Sequence, residues 1–277
     1  MSLTPPPGLD WGPSDVLALT LRLSCWPSLV SAIELAARPE MFADVSLMGW
    51  EVGRLRNPLL VAGRSGRVAD ALMNHATFVR LLWLRVALAG ALLVAPSAWL
   101  LHPAAIAAMT GLLLLWGKRN TYGQDGADQM LLIIWLAALV AVVLGGEGPT
   151  VLCLWFLACQ AGLAYTVAGY AKLGAAGWRR GEFLPGVLGT TCYGTPRVGG
   201  LLRRHRRMAL AGSWTVLLFE TSFPLAWLLP WPWGVGYLAL GLAFHVTNAF
   251  LMGLGSFLTT FLAVYPAVWF TLRHKGW

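Results

Sequence analysis

Long apolar runs separated by short polar stretches organise this chain. A helix that crosses a bilayer needs about 20 mostly apolar residues. Eight segments approach that length, at about 16–36, 78–101, 103–116, 129–146, 150–174, 208–229, 233–252 and 255–272. The third is short for a full crossing, and either crosses tilted or is buried by its neighbours. The runs are too long and too unbroken for the alternating strands of a membrane barrel. The pattern therefore predicts an all-α fold: a polytopic integral membrane helical bundle of about eight transmembrane helices, forming a single domain over 1–277. No internal repeat is evident.

Local signals refine some ends. The first helix is expected to start after Pro13-Ser14-Asp15, with Ser14 or Asp15 as its cap. Arg22 interrupts that run, so the helix is either amphipathic or packed inside the bundle. Arg80 and Arg85 are read as marking the start of the second run. Gly253 and Gly255 permit a tight connection between the last two helices. Pro230 and Pro232, with Trp231 and Trp233, suit an interfacial turn.

Composition supports lipid as the solvent. Hydrophobic residues make up 57% of the 277, and charged residues only 12%, about half the share of a soluble domain. The 15 tryptophans suit the headgroup level of a bilayer.

The net charge of +8 is gathered in three short segments. Residues 37–77 hold Arg38, Arg54, Arg56, Arg64 and Arg67; residues 117–128 hold Lys118 and Arg119; residues 176–207 hold seven arginines. The turns near 102, 147 and 230 hold none. Eight crossings put all three basic segments on one side, the cytoplasmic one, and only the tail "RHKG" falls against the rule. Topology explains this clustering, so no nucleic-acid partner is expected. The bilayer itself is the expected partner, in a bacterial cytoplasmic membrane. Cys25, Cys153, Cys159 and Cys192 form no CxxC pair, and no metal is expected. The N-terminus has no basic residue before its first apolar run and does not read as a signal peptide.

Four places could carry chemistry. In "YTVAGYAKLGAAGWRRGE", Tyr165, Gly169 and Lys172 share one helix face at i, i+4 and i+7. Gly169 would admit another helix or a flat ligand there. Lys172 either snorkels to the interface or acts as a base. Only three of 20 basic residues are lysines, and lysine, unlike arginine, can give up its proton when desolvated. In "HVTNAFLMGLGSF", His245 and Asn248 are polar residues within an apolar helix. They either hold helices together or face a site. Glu220, in "LLFETSFPLAW", must be paired or protonated, with Lys172 or His245 as candidate partners. Lys172, Glu220 and His245 are expected to converge on one internal site. The stretch "GKRNTYGQDGADQ", with Tyr122, reads as a solvated loop or as a polar lid.

Taken together these motifs resemble the HTTM family, the horizontally transferred transmembrane domain, which includes the membrane domain of vitamin K-dependent gamma-carboxylases. "AGYAKLGAAGWRRGE" resembles the segment around their catalytic lysine. "HVTNAFLMGLGSF" resembles their His-x-x-Asn motif, and "KRNTYGQDGADQ" their polar loop between spans, with Asn120-Thr121-Tyr122 where the carboxylases carry Asn-His. The resemblance runs from about 15 to 272. It implies a quinol cofactor of vitamin K type and a carboxylase-like, lyase-like or quinol-dependent chemistry. It also implies Lys172 as base. Beside it, the residues themselves put Glu220 and His245 in the expected catalytic group and Tyr165, Gly169, Asn248 and Tyr122 among the expected substrate-binding residues. Carboxylases continue into a large extramembrane domain and this sequence stops at Trp277, so a small hydrophobic or peptide substrate is expected. The competing expectation is a non-catalytic membrane subunit or binding protein.

Overall fold

The computed structural model describes residues 11–58, 62–120 and 124–275. Among these there are fourteen α-helices, two 3-10 turns and no strand. The chain divides into two compact units, one spanning Leu17–Cys153 and the other containing Leu154 onward with the first turn of the first helix.

The N-terminal unit takes in α1 (Pro13–Ala36), a 3-10 turn (Pro39–Phe42), α2 (Trp50–Arg56), α3 (Gly63–Met73), α4 (His75–Val94), α5 (Ser97–Leu100), α6 (Pro103–Arg119), α7 (Gly126–Leu144) and the start of α8 (Glu147–Gly174). α1 begins at Pro13, earlier than expected, and neither Ser14 nor Asp15 is its cap. Proline lacks an N–H and has its φ preset, so it fits the first helical position. From the third position Asp15 Oδ2 accepts the Gly12 N–H at 3.2 Å, half of a capping box. Arg22 is packed rather than solvent-facing. Its guanidinium donates to Leu93 O at 3.0 Å and Ala95 O at 2.7 Å, where the end of α4 leaves carbonyls without helical partners.

The polar segment 37–77 is more than a connection. Phe42, Met48, Trp50 and Met73 bury themselves with Phe78, Leu82 and Trp116 in a local core. Asn74 ends α3 and caps α4, its side chain accepting from Thr77 N at 3.0 Å. The second span is shifted upstream of the expected 78–101, which puts Arg85 inside α4 instead of at its start. Asp125 caps α7 through Asp128 N at 2.8 Å, and Gly145 and Gly146, both at positive φ, turn the chain into α8.

The C-terminal unit continues α8 and adds α9 (Ala176–Arg179), α10 (Phe183–Leu188), α11 (Pro196–Arg204), α12 (Arg206–Ser222), a 3-10 turn (Phe223–Trp227), α13 (Trp231–Met252) and α14 (Gly255–Arg273). Gly253, at φ +71°, closes α13, and α14 folds back along it. Gly241 leaves room for the Tyr265 hydroxyl, which a β-carbon there would strike.

Among the described residues, six helices are long and apolar enough to cross a membrane: α1, α4, α7, α8, α13 and α14. They leave large apolar side chains uncovered, including Val143 at 68% exposure and Phe250 at 83%. Such a surface is stable against lipid, not water.

Candidate functional site

The C-terminal unit brings Lys172 and Glu220 together. Lys172 Nζ donates to Glu220 Oε1 at 2.7 Å and to Oε2 at 2.6 Å. α8 and α12 can bring these groups so close because Gly169 has no side chain. A β-carbon there would lie 2.7 Å from Thr221 N and 2.9 Å from Glu220 C. Of the two neighbours that Gly169 could admit, the structure seats a helix, α12. The ion pair is asymmetric: the Lys172 side chain is 25% exposed and that of Glu220 only 4%. The amine stands in front and the carboxylate behind it. Trp178, just past the end of α8, places its ring 5.7 Å from Nζ.

His245 does not pair with Glu220. Its Nε2 lies 2.7 Å from the Tyr165 hydroxyl, which in turn lies 3.0 Å from the Tyr265 hydroxyl. All three side chains are buried. Aromatic rings enclose them: Phe219, Phe223 and Phe261 pack on Tyr165, and Phe261 stacks on His245 at 4.5 Å. His245 Nδ1 is buried, with no hydrogen-bond partner among the described residues. The expected convergence of Lys172, Glu220 and His245 thus takes the form of two neighbouring groups. Tyr165 and Lys172 sit seven residues apart on α8, about 10 Å along the axis. On α12, Phe219 packs on Tyr165 while the adjacent Glu220 holds Lys172. Asn248, one turn beyond His245, is half-buried and takes no part in either group. Tyr122 lies outside the described residues.

Three groups were not singled out from the sequence. Tyr265 completes the hydroxyl chain; its only signal was a phenol inside an apolar run. Arg85 and Arg119, in the N-terminal unit, are 1% and 0% exposed. Arg85 donates to Ser28 Oγ at 3.0 Å and Ser31 Oγ at 2.6 Å. Arg119, read from the sequence as part of a polar loop, is the last residue of α6. It donates to Met73 O at 2.6 Å and Phe42 O at 2.7 Å, with its guanidinium 5.2 Å from the Phe78 ring centre.

Chemically, the C-terminal site offers an amine and a carboxylate that can share a proton, beside two phenols and an imidazole linked by hydrogen bonds. Among the described residues no three His, Cys, Asp or Glu side chains gather as metal ligands would. The described residues define an all-helical integral membrane protein with polar groups buried among its helices. Comparison with protein-family models, curated proteins and solved structures finds no match.

Proposed function

We propose that this protein is a quinol- or lipid-linked enzyme of a bacterial cytoplasmic membrane, with Lys172 as the base toward a hydroxyl of a small hydrophobic substrate. The observation that carries the reading is the carboxylate-backed amine: the Lys172 side chain keeps 25% of its surface open while that of Glu220 keeps only 4%. In an apolar setting, moving one proton across the 2.6 Å contact converts the ion pair into a neutral amine and a neutral acid, and removes the cost of two desolvated charges. The neutral amine then takes the substrate's hydroxyl proton, leaving the substrate as an oxyanion beside the ammonium. Tyr165, His245 and Tyr265 supply hydrogen bonds that position polar groups in the same bundle. The resemblance of the Lys172 and His245 motifs to the HTTM family supports this reading, and so does the default functional standing of ionisable residues at membrane depth. We also infer that α6 and α12, each 17 residues long, cross the bilayer at the lower limit of spanning length, for a total of about eight crossings.

A second reading, a non-catalytic membrane subunit or binding protein, draws on the fact that both Glu220 oxygens are engaged by Lys172, as in a structural lock. One experiment separates the two. The full chain is reconstituted in nanodiscs and given a reduced naphthoquinol in air-saturated buffer, and quinol loss and products are followed by mass spectrometry. The enzyme reading expects the wild type to consume quinol faster than empty discs. Lys172→Arg and Lys172→Met should fall to the empty-disc rate with unchanged helical content, because arginine does not act as a base. Full activity of Lys172→Arg, or a wild type no faster than empty discs, would leave the binding reading in place.

A further inference from the structure

We propose that the C-terminal unit carries a rigid basic platform, built on α11 and the start of α12, that binds the headgroups of anionic phospholipids. Residues 176–207 contain seven arginines and one carboxylate, Glu182. Two of the arginines, exposed like the rest, have their guanidinium groups tied to backbone carbonyls. Arg179 donates to Leu173 O at 2.5 Å and Gly174 O at 3.1 Å, and Arg203 to Pro185 O at 3.4 Å. Arg197, Arg204, Arg206 and Arg207 are exposed, and among the described residues none of them forms an ion pair.

The platform is held in place. Gly199 of α11 lies so near Gly189 that a β-carbon would meet its Cα at 2.7 Å, so the two backbones touch. Leu188, Leu202 and Ala209 pack beneath them with Leu184 and Val198. Thr195 Oγ1 donates to Leu251 O at 2.8 Å and ties the entry of α11 to the end of α13. The outer face of α11 is then set by helical spacing. Arg197, Leu201 and Arg204 fall at i, i+4 and i+7 and share one face, with the Cα atoms of the two arginines about 10 Å apart along the axis.

Charge alone would also suit a nucleic acid. The apolar side chains among the arginines decide for lipid: Tyr193 is 60% exposed, Leu201 45% and Met208 52%. Aromatic and aliphatic groups between cations suit the boundary of headgroups and acyl chains, and a nucleic acid would leave Leu201 and Met208 uncovered. Guanidinium forks match phosphate oxygens in pairs, and each arginine near an anionic surface strengthens attachment about fivefold.

The test uses the full chain, delipidated in detergent, with added phosphatidylglycerol or phosphatidylcholine and bound lipid counted by native mass spectrometry. The expected result is a preference for phosphatidylglycerol of at least about tenfold, weakening as salt is raised. The joint substitution Arg197→Gln, Arg204→Gln, Arg206→Gln and Arg207→Gln should abolish the preference with helical content unchanged, while lysine at the same four positions should keep most of it. Equal retention of the two lipids by the wild type would overturn the proposal. So would an undiminished preference in the glutamine variant, or tighter binding of a short RNA than of phosphatidylglycerol. The wild-type lipid comparison and its salt dependence stand even if the fourfold variant fails to fold.

Discussion

Gly169→Ala should destabilise the protein even though alanine is the better helix former. Replacing a mid-helix glycine by alanine contributes about 1 kcal/mol of helix propensity. Against this, the new β-carbon would lie 2.7 Å from Thr221 N, 2.8 Å from Thr221 Cγ2 and 2.9 Å from Glu220 C. Two of those atoms are backbone, so no rotamer change relieves the clash. Ordinary carbon contacts are about 3.5–4.0 Å, so α8 and α12 must separate locally by roughly an ångström. Overpacking of this kind costs about 1–3 kcal/mol, which outweighs or cancels the propensity gain. The same displacement pulls Glu220 from Lys172, whose contacts of 2.6 and 2.7 Å have no slack. Gly90→Ala is the control: it lies inside α4 with nothing within 4 Å of the new carbon, so only the propensity term applies. Thermal unfolding in detergent, followed by tryptophan fluorescence, should place Gly169→Ala below the wild type and Gly90→Ala at or above it. If Gly169→Ala unfolds no earlier than Gly90→Ala, the close approach of α12 to α8 is wrong.

Lys172→Met should destabilise more than Glu220→Gln. It strands a carboxylate that is 4% exposed, whereas Lys172, 25% exposed, can turn toward the surface when its partner is neutralised. Breaking a buried pair from one side costs about 3–5 kcal/mol, and replacing both members restores much of it. The double variant should therefore unfold later than Lys172→Met alone; a double variant no more stable would refute the pairing. Arg119→Met keeps an apolar stem but loses the bonds to Met73 O and Phe42 O. At about 1.5–3 kcal/mol for each charge-assisted bond, it should loosen segment 37–77, seen as faster proteolysis there with the long helices intact; unchanged proteolysis would count against the clamp.

The apolar runs determined the membrane class, because a 20-residue stretch without charge has few other stable settings. Among the described residues they also located five of the six long helices to within about three residues and misplaced the end of α4, expected at 101 and found at Val94. The motif around Lys172 and the lone Glu220 were legible as well, because each is an ionisable group where charge is costly and must find a partner. What the runs could not say is which partner. That Glu220 takes Lys172 while His245 takes Tyr165 depends on close packing at Gly169, which admits Thr221 of α12 against α8, and at Gly241, which admits Tyr265 of α14 against α13; the missing side chains carry no directional signal. Hydropathy also gave no sign of structure inside the polar segments. Segment 37–77 and the α10–α11 stretch are polar in composition, but one face of each short helix buries Trp50, Met73 or Leu202. Arg85 and Arg119 show the same limit from the other side. A sequence marks arginine as a surface residue, and only tertiary structure can supply the serine hydroxyls, helix-end carbonyls and aromatic faces that let a guanidinium be buried.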